Sequence, residues 1–194
     1  LEQRAALPVN ILAAQAGRMR CLRELQRIPE AAAAAQKVLA NTDANEDLKA
    51  EAGLAVALAS VNNNDLDAAY TRYKSIAGSS KNAWGAEAAY QKAYVRFLQK
   101  KYADAEKDVF DLVKKFPSYD HWKARSFILL GDVYMGMNDP FQAKATLQSV
   151  IDHCAEPDLV ADASARLAQV NAATATPSGT VAPDDNTVPM PGQQ

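Results

Sequence analysis

The sequence predicts an all-α protein, about four helical hairpins in a row closed by one further helix. Three observations carry this. Apolar residues recur at the 3.6-residue period of a helix along most of the chain. Glycine is scarce, 8 in 194 residues, while the helix formers Ala, Leu, Lys, Gln and Glu dominate. A small residue also returns at a near-constant interval: Ala31, Ala69, Ala105 and Ala143 lie 38, 36 and 38 positions apart, as a repeated two-helix unit requires.

The first predicted hairpin spans residues 8–41. Ile11, Leu12, Met19, Leu22 and Leu25 sit at helical spacing, Ile28-Pro29 breaks the helix, and Pro29 starts the next one through five alanines to Val38 and Leu39. A polar loop over 41–48 leads to the second hairpin, 49–77, with Ala52, Ala55 and Ala57 facing the core and Asn62-Asn63-Asn64-Asp65 as its turn. The third hairpin, 85–116, ends with Lys114 and Lys115, cations that suit a helix C-terminus, and Pro117 stops it. In the fourth, 124–152, Phe127, Leu130, Tyr134 and Met137 share one face, Asn138-Asp139-Pro140 turns the chain, and Phe141, Leu147, Val150 and Ile151 follow. Gly131 and Ala143 are the small residues that let these two helices approach. Met19 stands where Gly131, Ala93 and Ala57 stand in the other hairpins, which implies either a shifted register or a more splayed first hairpin.

Residues 158–171 predict a single amphipathic helix, with Leu159, Ala163, Leu167 and Val170 on one face, covering the end of the array. Residues 174–194 hold four prolines, two glycines and almost no large apolar side chain, so this tail is expected to be disordered and dispensable for folding. No such covering helix precedes the first hairpin, so further repeats are expected before it in a longer or processed parent. The apolar start, broken by Pro8 and Asn10, does not read as a signal peptide.

Composition narrows the function. Of 21 basic and 23 acidic residues, Asp184 and Asp185 lie in the tail, which has no Lys or Arg, so the body is neutral. A neutral body without a basic stripe disfavours nucleic acid or an anionic membrane as partner. No run approaches the ~18 apolar residues of a membrane span. Cys21 and Cys154 fit neither a metal-site spacing nor a disulfide framework. His121 and His153 fall in predicted linkers with no nucleophile or carboxylate at a catalytic spacing. Asp132 with Asp139, and Glu106, Asp108 and Asp111, read as solvated faces rather than a metal site. No catalytic residue, metal or cofactor is expected, and with no phosphate-cradling glycine loop the chain is not expected to be an enzyme.

The order Phe127, Leu130-Gly131, Tyr134, then Ala143, Leu147 and Val150, resembles the tetratricopeptide repeat. Asn64-Asp65-Leu66 with Ala69, Tyr73 and Ile76 matches the same pattern, as do Ala105, Val109 and Leu112. The spacing exceeds the usual ~34 residues, so extended inter-repeat loops are expected. More narrowly, residues 85–88, 101–106 and 124–151 are similar to large repeat proteins of the Gram-negative cell envelope. They are similar, more weakly, to the barrel-assembly lipoprotein and the periplasmic division coordinator. The resemblance implies a right-handed superhelical array and an exported, non-catalytic adaptor at the periplasm or the periplasmic face of the outer membrane. The lipid-attachment pattern of such proteins is missing before Cys21, where Met19-Arg20 stands.

The resemblance also implies a concave groove lined by four positions of each first helix. Here they hold Ala13, Ala16, Arg20 and Arg23; Glu51, Leu54, Leu58 and Val61; Glu87, Tyr90, Tyr94 and Phe97; and Arg125, Ile128, Asp132 and Met135. The family's clamp for a terminal carboxylate uses Asn and Lys, but its Asn positions hold Leu58, Tyr94 and Asp132, and its Lys positions hold no Lys. The expected partner is therefore a protein helix or extended peptide laid on an apolar and aromatic stripe. The alternative is an architectural spacer or self-associating rod whose groove binds nothing.

Overall fold

The computed structural model describes residues 8–175. Among them the chain forms nine helices: α1 (Pro8–Glu24), α2 (Ile28–Ala40), α3 (Glu46–Asn62), α4 (Leu66–Ser79), α5 (Ala83–Leu98), α6 (Tyr102–Lys115), α7 (Asp120–Gly136), α8 (Pro140–His153) and α9 (Pro157–Thr174). The fold class is the expected one, all-α and repetitive. The expectations for the tail fall outside the described residues from 176 on; Thr174 belongs to α9, which outruns its predicted end at 171.

Local chemistry sets the helix starts. Asn45, Asp65, Asn82 and Asp139 each accept a hydrogen bond from a backbone N–H of the first turn, satisfying donors a helix leaves free. Proline opens α2, α8 and α9, where its missing N–H costs nothing. The hairpin turns are identical in backbone terms. Gln26, Asn64, Lys100 and Asn138 take φ of 56°, 59°, 59° and 60°, spaced like the four alanines. After each, a backbone N–H reaches back across the last turn: Arg27 to the Leu22 carbonyl, Asp65 to Ser60, Lys101 to Arg96 and Asp139 to Tyr134. These are Schellman-type closures, normally given to glycine because its φ is unrestricted. Two of them carry side chains that resist this conformation, so Gln26→Gly and Lys100→Gly are each expected to stabilise the protein by roughly 0.5–1 kcal/mol in chemical denaturation.

Each helix packs on its sequence neighbours. In addition α1 packs closely on α3, α3 on α5, α5 on α7 and α7 on α9, whereas the backbones of the even helices stay apart. The long Lys115 side chain links α6 to α4 by donating to the Ala77 and Gly78 carbonyls. A layer whose members approach closely beside a layer whose members stand further apart is a curved one. The odd helices therefore form the concave side. The four marker alanines are 0–2% exposed, at the closest approaches of the layers. Met19 is 1% exposed and shares a buried cluster with Ala31, Ala34, Ala35 and Val38. The alanine-rich face of α2 makes room for it, so the first hairpin closes around a large residue where the others use a small one.

Three sequence readings are corrected. His121 lies in the first turn of α7 and His153 ends α8, neither in a linker. Phe141 is 79% exposed and Met137 is exposed beyond the end of α7, so neither joins the apolar face assigned to it. Arg96 is half-buried with its guanidinium 3.7 Å from the Tyr70 ring centre. Asp108 is buried rather than solvated, with Lys92 Nζ 3.0 Å from Oδ1 and Oδ2 without a partner.

Burial pushes the Asp108 carboxyl above its ordinary range, against the opposing pull of Lys92 and Arg96 and with a further push from Asp111. The folded state then holds this proton more tightly than the unfolded chain, so the ionised form weighs against folding above the folded pKa. That burden is relieved as pH falls through it. The stability of the wild type relative to Asp108→Asn is thus expected to rise between neutral pH and the ordinary carboxylate range. Paired thermal melts across that window check it; parallel curves would refute it.

Candidate functional site

The concave face is built by the odd helices, and the structure divides the residues assigned to it into two halves. Toward the amino end the face is closed by ion pairs. Arg20 donates twice to Glu51, from Nε at 2.7 Å and Nη2 at 2.6 Å, a two-pronged bond between α1 and α3. Arg23 Nη2 donates to Glu87 Oε1 at 2.9 Å across 64 positions of sequence, joining α1 to α5, helices with no direct packing contact. This pair therefore reaches over α3. Burial raises the Glu87 pKa, while Arg23, through its charge and its hydrogen bond, and Arg125 oppose the rise. Leu54 is 3% exposed in the core, so it presents nothing to a ligand; Leu58 and Val61 are half-buried, Ala16 is buried and Ala13 is exposed. A cavity of about 410 Å³ lies at this end, with Leu12, Ala16, Leu48 and Trp84 beside the Arg20–Glu51 pair. A larger cleft, about 660 Å³, lies on the other side of α3, lined by α4 residues such as Thr71, Arg72 and Ser75.

Toward the carboxyl end the face is aromatic. Tyr90, Tyr94 and Phe97 recur four and three residues apart on α5, which puts them on one side of the helix. Their rings form a row, with centres 6.4 Å apart for Tyr90–Tyr94 and 6.3 Å for Tyr94–Phe97. Trp122 of α7 extends it at 5.5 Å from Tyr90, and Tyr102 of α6 at 6.0 Å from Phe97. All three α5 rings are half-buried: one side packs on the core while the rest stays open. The Arg125 guanidinium sits 4.8 Å from the Tyr90 ring centre and 5.3 Å from that of Trp122. Asp132 is ion-paired with Arg166 of α9. Met135 is half-buried beside this row, whereas Ile128 is 3% exposed and, like Leu54, belongs to the core.

The structure thus brings Tyr90, Tyr94, Phe97, Arg125, Asp132 and Met135 onto one half of the face, and on the other it pairs Arg20 with Glu51 and Arg23 with Glu87. Sequence reasoning missed Trp122 and Arg166. Both had a signal: Trp122 lies three residues before Arg125, on the same helix face. Arg166 lies 34 positions after Asp132, about one helical turn short of the 36–38-residue interval of the repeats, so it shares a face of α9 with the position in that register.

Among the described residues no three His, Cys, Asp or Glu side chains cluster as metal ligands. Cys21 and Cys154 are both free thiols. No helix among them is long and apolar enough to cross a membrane.

The sequence matches no family model and no curated protein. Solved structures do match. The chain is similar to BtubC (BKLC) from P. vanneervenii, with a TM-score of 0.68 and 15% identity over 86% of this chain and 75% of that one. It is similar to pilF of Pseudomonas aeruginosa, with a TM-score of 0.65 and 19% identity over 84% of this chain and 68% of that one. A Podosopora anserina kinesin light chain with nearly identical TPR-like repeats aligns over 84% of this chain and 85% of its own, with a TM-score of 0.64 and 15% identity. With the recurring hairpins, their common turn and the successive packing of the odd helices, these likenesses show that the chain has the tetratricopeptide-repeat fold.

Proposed function

We propose that the chain is a non-enzymatic scaffold that holds a segment of another protein on the aromatic half of its concave face. The observation that carries this reading is the row Tyr90, Tyr94 and Phe97, anchored on the core yet half open. Rings held this way bury much area on binding at little entropic loss, which is why they concentrate at binding hot spots. Tyr94→Ala is expected to weaken partner binding by roughly 1 kcal/mol or more while costing less stability than truncation of a fully buried aromatic. A photo-crosslinking residue at Tyr94 would identify the partner, and titration of that partner against wild type and variant measures the change. A large loss of melting temperature with unchanged binding would show that the rings serve packing alone.

The second reading, a self-associating rod, is favoured by one observation: Phe141 and Phe110 of the even helices are 79% and 49% exposed. Sedimentation across a concentration range separates the two, since only the rod gains mass as concentration rises. The resemblance to envelope repeat proteins supports a place in the periplasm or at the periplasmic face of the outer membrane. Fractionation of cells expressing the tagged parent protein tests that place directly.

A further inference from the structure

The charges on the concave face are compensated in pairs, with one exception. Arg20 is held by Glu51, Arg23 by Glu87, and Asp132 by Arg166. Arg125 makes no hydrogen bond or ion pair among the described residues; it lies over Tyr90 and Trp122 and feels Glu87 only through space. That carboxylate is already engaged by Arg23. A guanidinium held over aromatic rings is fixed in place while its edge N–H donors stay available, a geometry that suits a carboxylate. Asp132, the acid that would repel such a group, is neutralised by Arg166. Beside Arg125 the row Tyr94 and Phe97, with Met135, offers open apolar surface.

We propose that Arg125 is the specificity-determining residue of this face, and that the segment docked there carries one internal Asp or Glu side chain flanked by apolar residues. The carboxylate meets Arg125 and the apolar neighbours cover Tyr94 and Phe97. A side-chain carboxylate fits better than a chain terminus, because a terminus held by a clamp needs several converging donors and the surrounding positions supply Leu58, Tyr94 and Asp132 instead. This inference rests on the groove reading above, and its test separates the two.

Random peptides displayed on phage are selected on the immobilised 194-residue chain, and an enriched peptide is synthesised for titration by fluorescence anisotropy. The expected peptides carry an acidic residue between apolar ones. Replacing that Glu by Gln weakens binding to the wild-type chain about tenfold or more, as loss of a charge-assisted hydrogen bond does. The same replacement makes little difference on Arg125→Gln, and amidating the peptide's carboxyl terminus leaves binding unchanged. The peptide substitution is read on the wild-type chain, so it stands even where Arg125→Gln folds poorly. Peptides that Tyr94→Ala weakens but that tolerate Glu-to-Gln overturn the role of Arg125 and leave the groove reading intact. Loss of binding on amidation overturns the internal-carboxylate assignment in favour of a terminus. Tighter binding after deletion of residues 176–194, which contain Asp184 and Asp185, overturns it in favour of the chain's own tail as occupant. Failure to enrich any peptide overturns the groove reading and this inference together.

Discussion

Gly131→Leu is expected to destabilise the protein by about 3 kcal/mol, the upper end of what overpacking does, and to lower its melting temperature by roughly 6–12 °C. The reason is a contact between α7 and α8 with no slack in it. A Cβ added at Gly131 would lie 2.8 Å from both Cγ and Cδ2 of Leu147, closer than real Cβ atoms come. Leu147 is fully buried, and its Cγ is the branch point of the side chain, so it cannot swing aside as a flexible tip would. Three further carbons then have to enter the space between the two helices. Gly131→Ala adds only the Cβ and should fall between parent and Leu variant, which makes the series a graded probe of the helix separation. Thermal melts followed by circular dichroism measure it. A Leu variant that melts with the parent would mean that α7 and α8 do not meet at this residue.

Tyr73→Ala is the other large effect, about 3–5 kcal/mol. Tyr73 is 1% exposed on α4, in a cluster that gathers Leu54 of α3, Ala89 of α5, and Leu112 and Phe116 at the end of the third hairpin. Its loss opens a cavity where the second and third repeats join. In a linear array, stability is close to a sum of repeat and neighbour-interface contributions, so an emptied interface also uncouples the halves. Denaturation of the variant is therefore expected to broaden or split as well as shift. Burial pushes the Tyr73 phenol well above its usual range, so the ring stays neutral at working pH. Tyr73→Phe, which keeps the ring, should retain most of the stability. A Phe variant as damaged as the Ala variant would place the stabilisation in the hydroxyl instead.

The two halves of the concave face matter differently for design. Removing Arg23 would leave Glu87, whose side chain is 12% exposed, without its hydrogen-bonding cation, whereas Arg125 has no ion pair to break. Changes in the amino half therefore act on stability, and changes around Arg125 act on what the face can hold.

The amino-acid sequence by itself determined the helices, the hairpin order and the buried markers, because each of these is a local matter. A 3.6-residue apolar period selects a helix face, Asn and Asp cap the turn that follows them, and a recurrent alanine marks where helices touch. Two of the four left-handed turn residues, Asn64 and Asn138, were equally legible; Gln26 and Lys100 were not, because their side chains have no preference for that conformation and only the repeated closure imposes it. The tertiary structure alone decided which groove positions are open. Leu54 and Ile128 occupy the same register as Tyr90 but lie in the core, because exposure along the concave side depends on how closely successive odd helices approach. It alone decided the partners as well: Arg23 with Glu87, Lys92 with Asp108, Asp132 with Arg166, and Arg125 with the rings of Tyr90 and Trp122. Lys92 meets Asp108 within one hairpin and Arg125 meets Trp122 within one helix, but Arg23–Glu87, Asp132–Arg166 and Arg125–Tyr90 join residues 34 to 64 positions apart. The curvature that brings these together is a property of the stacked repeats, which no single repeat encodes.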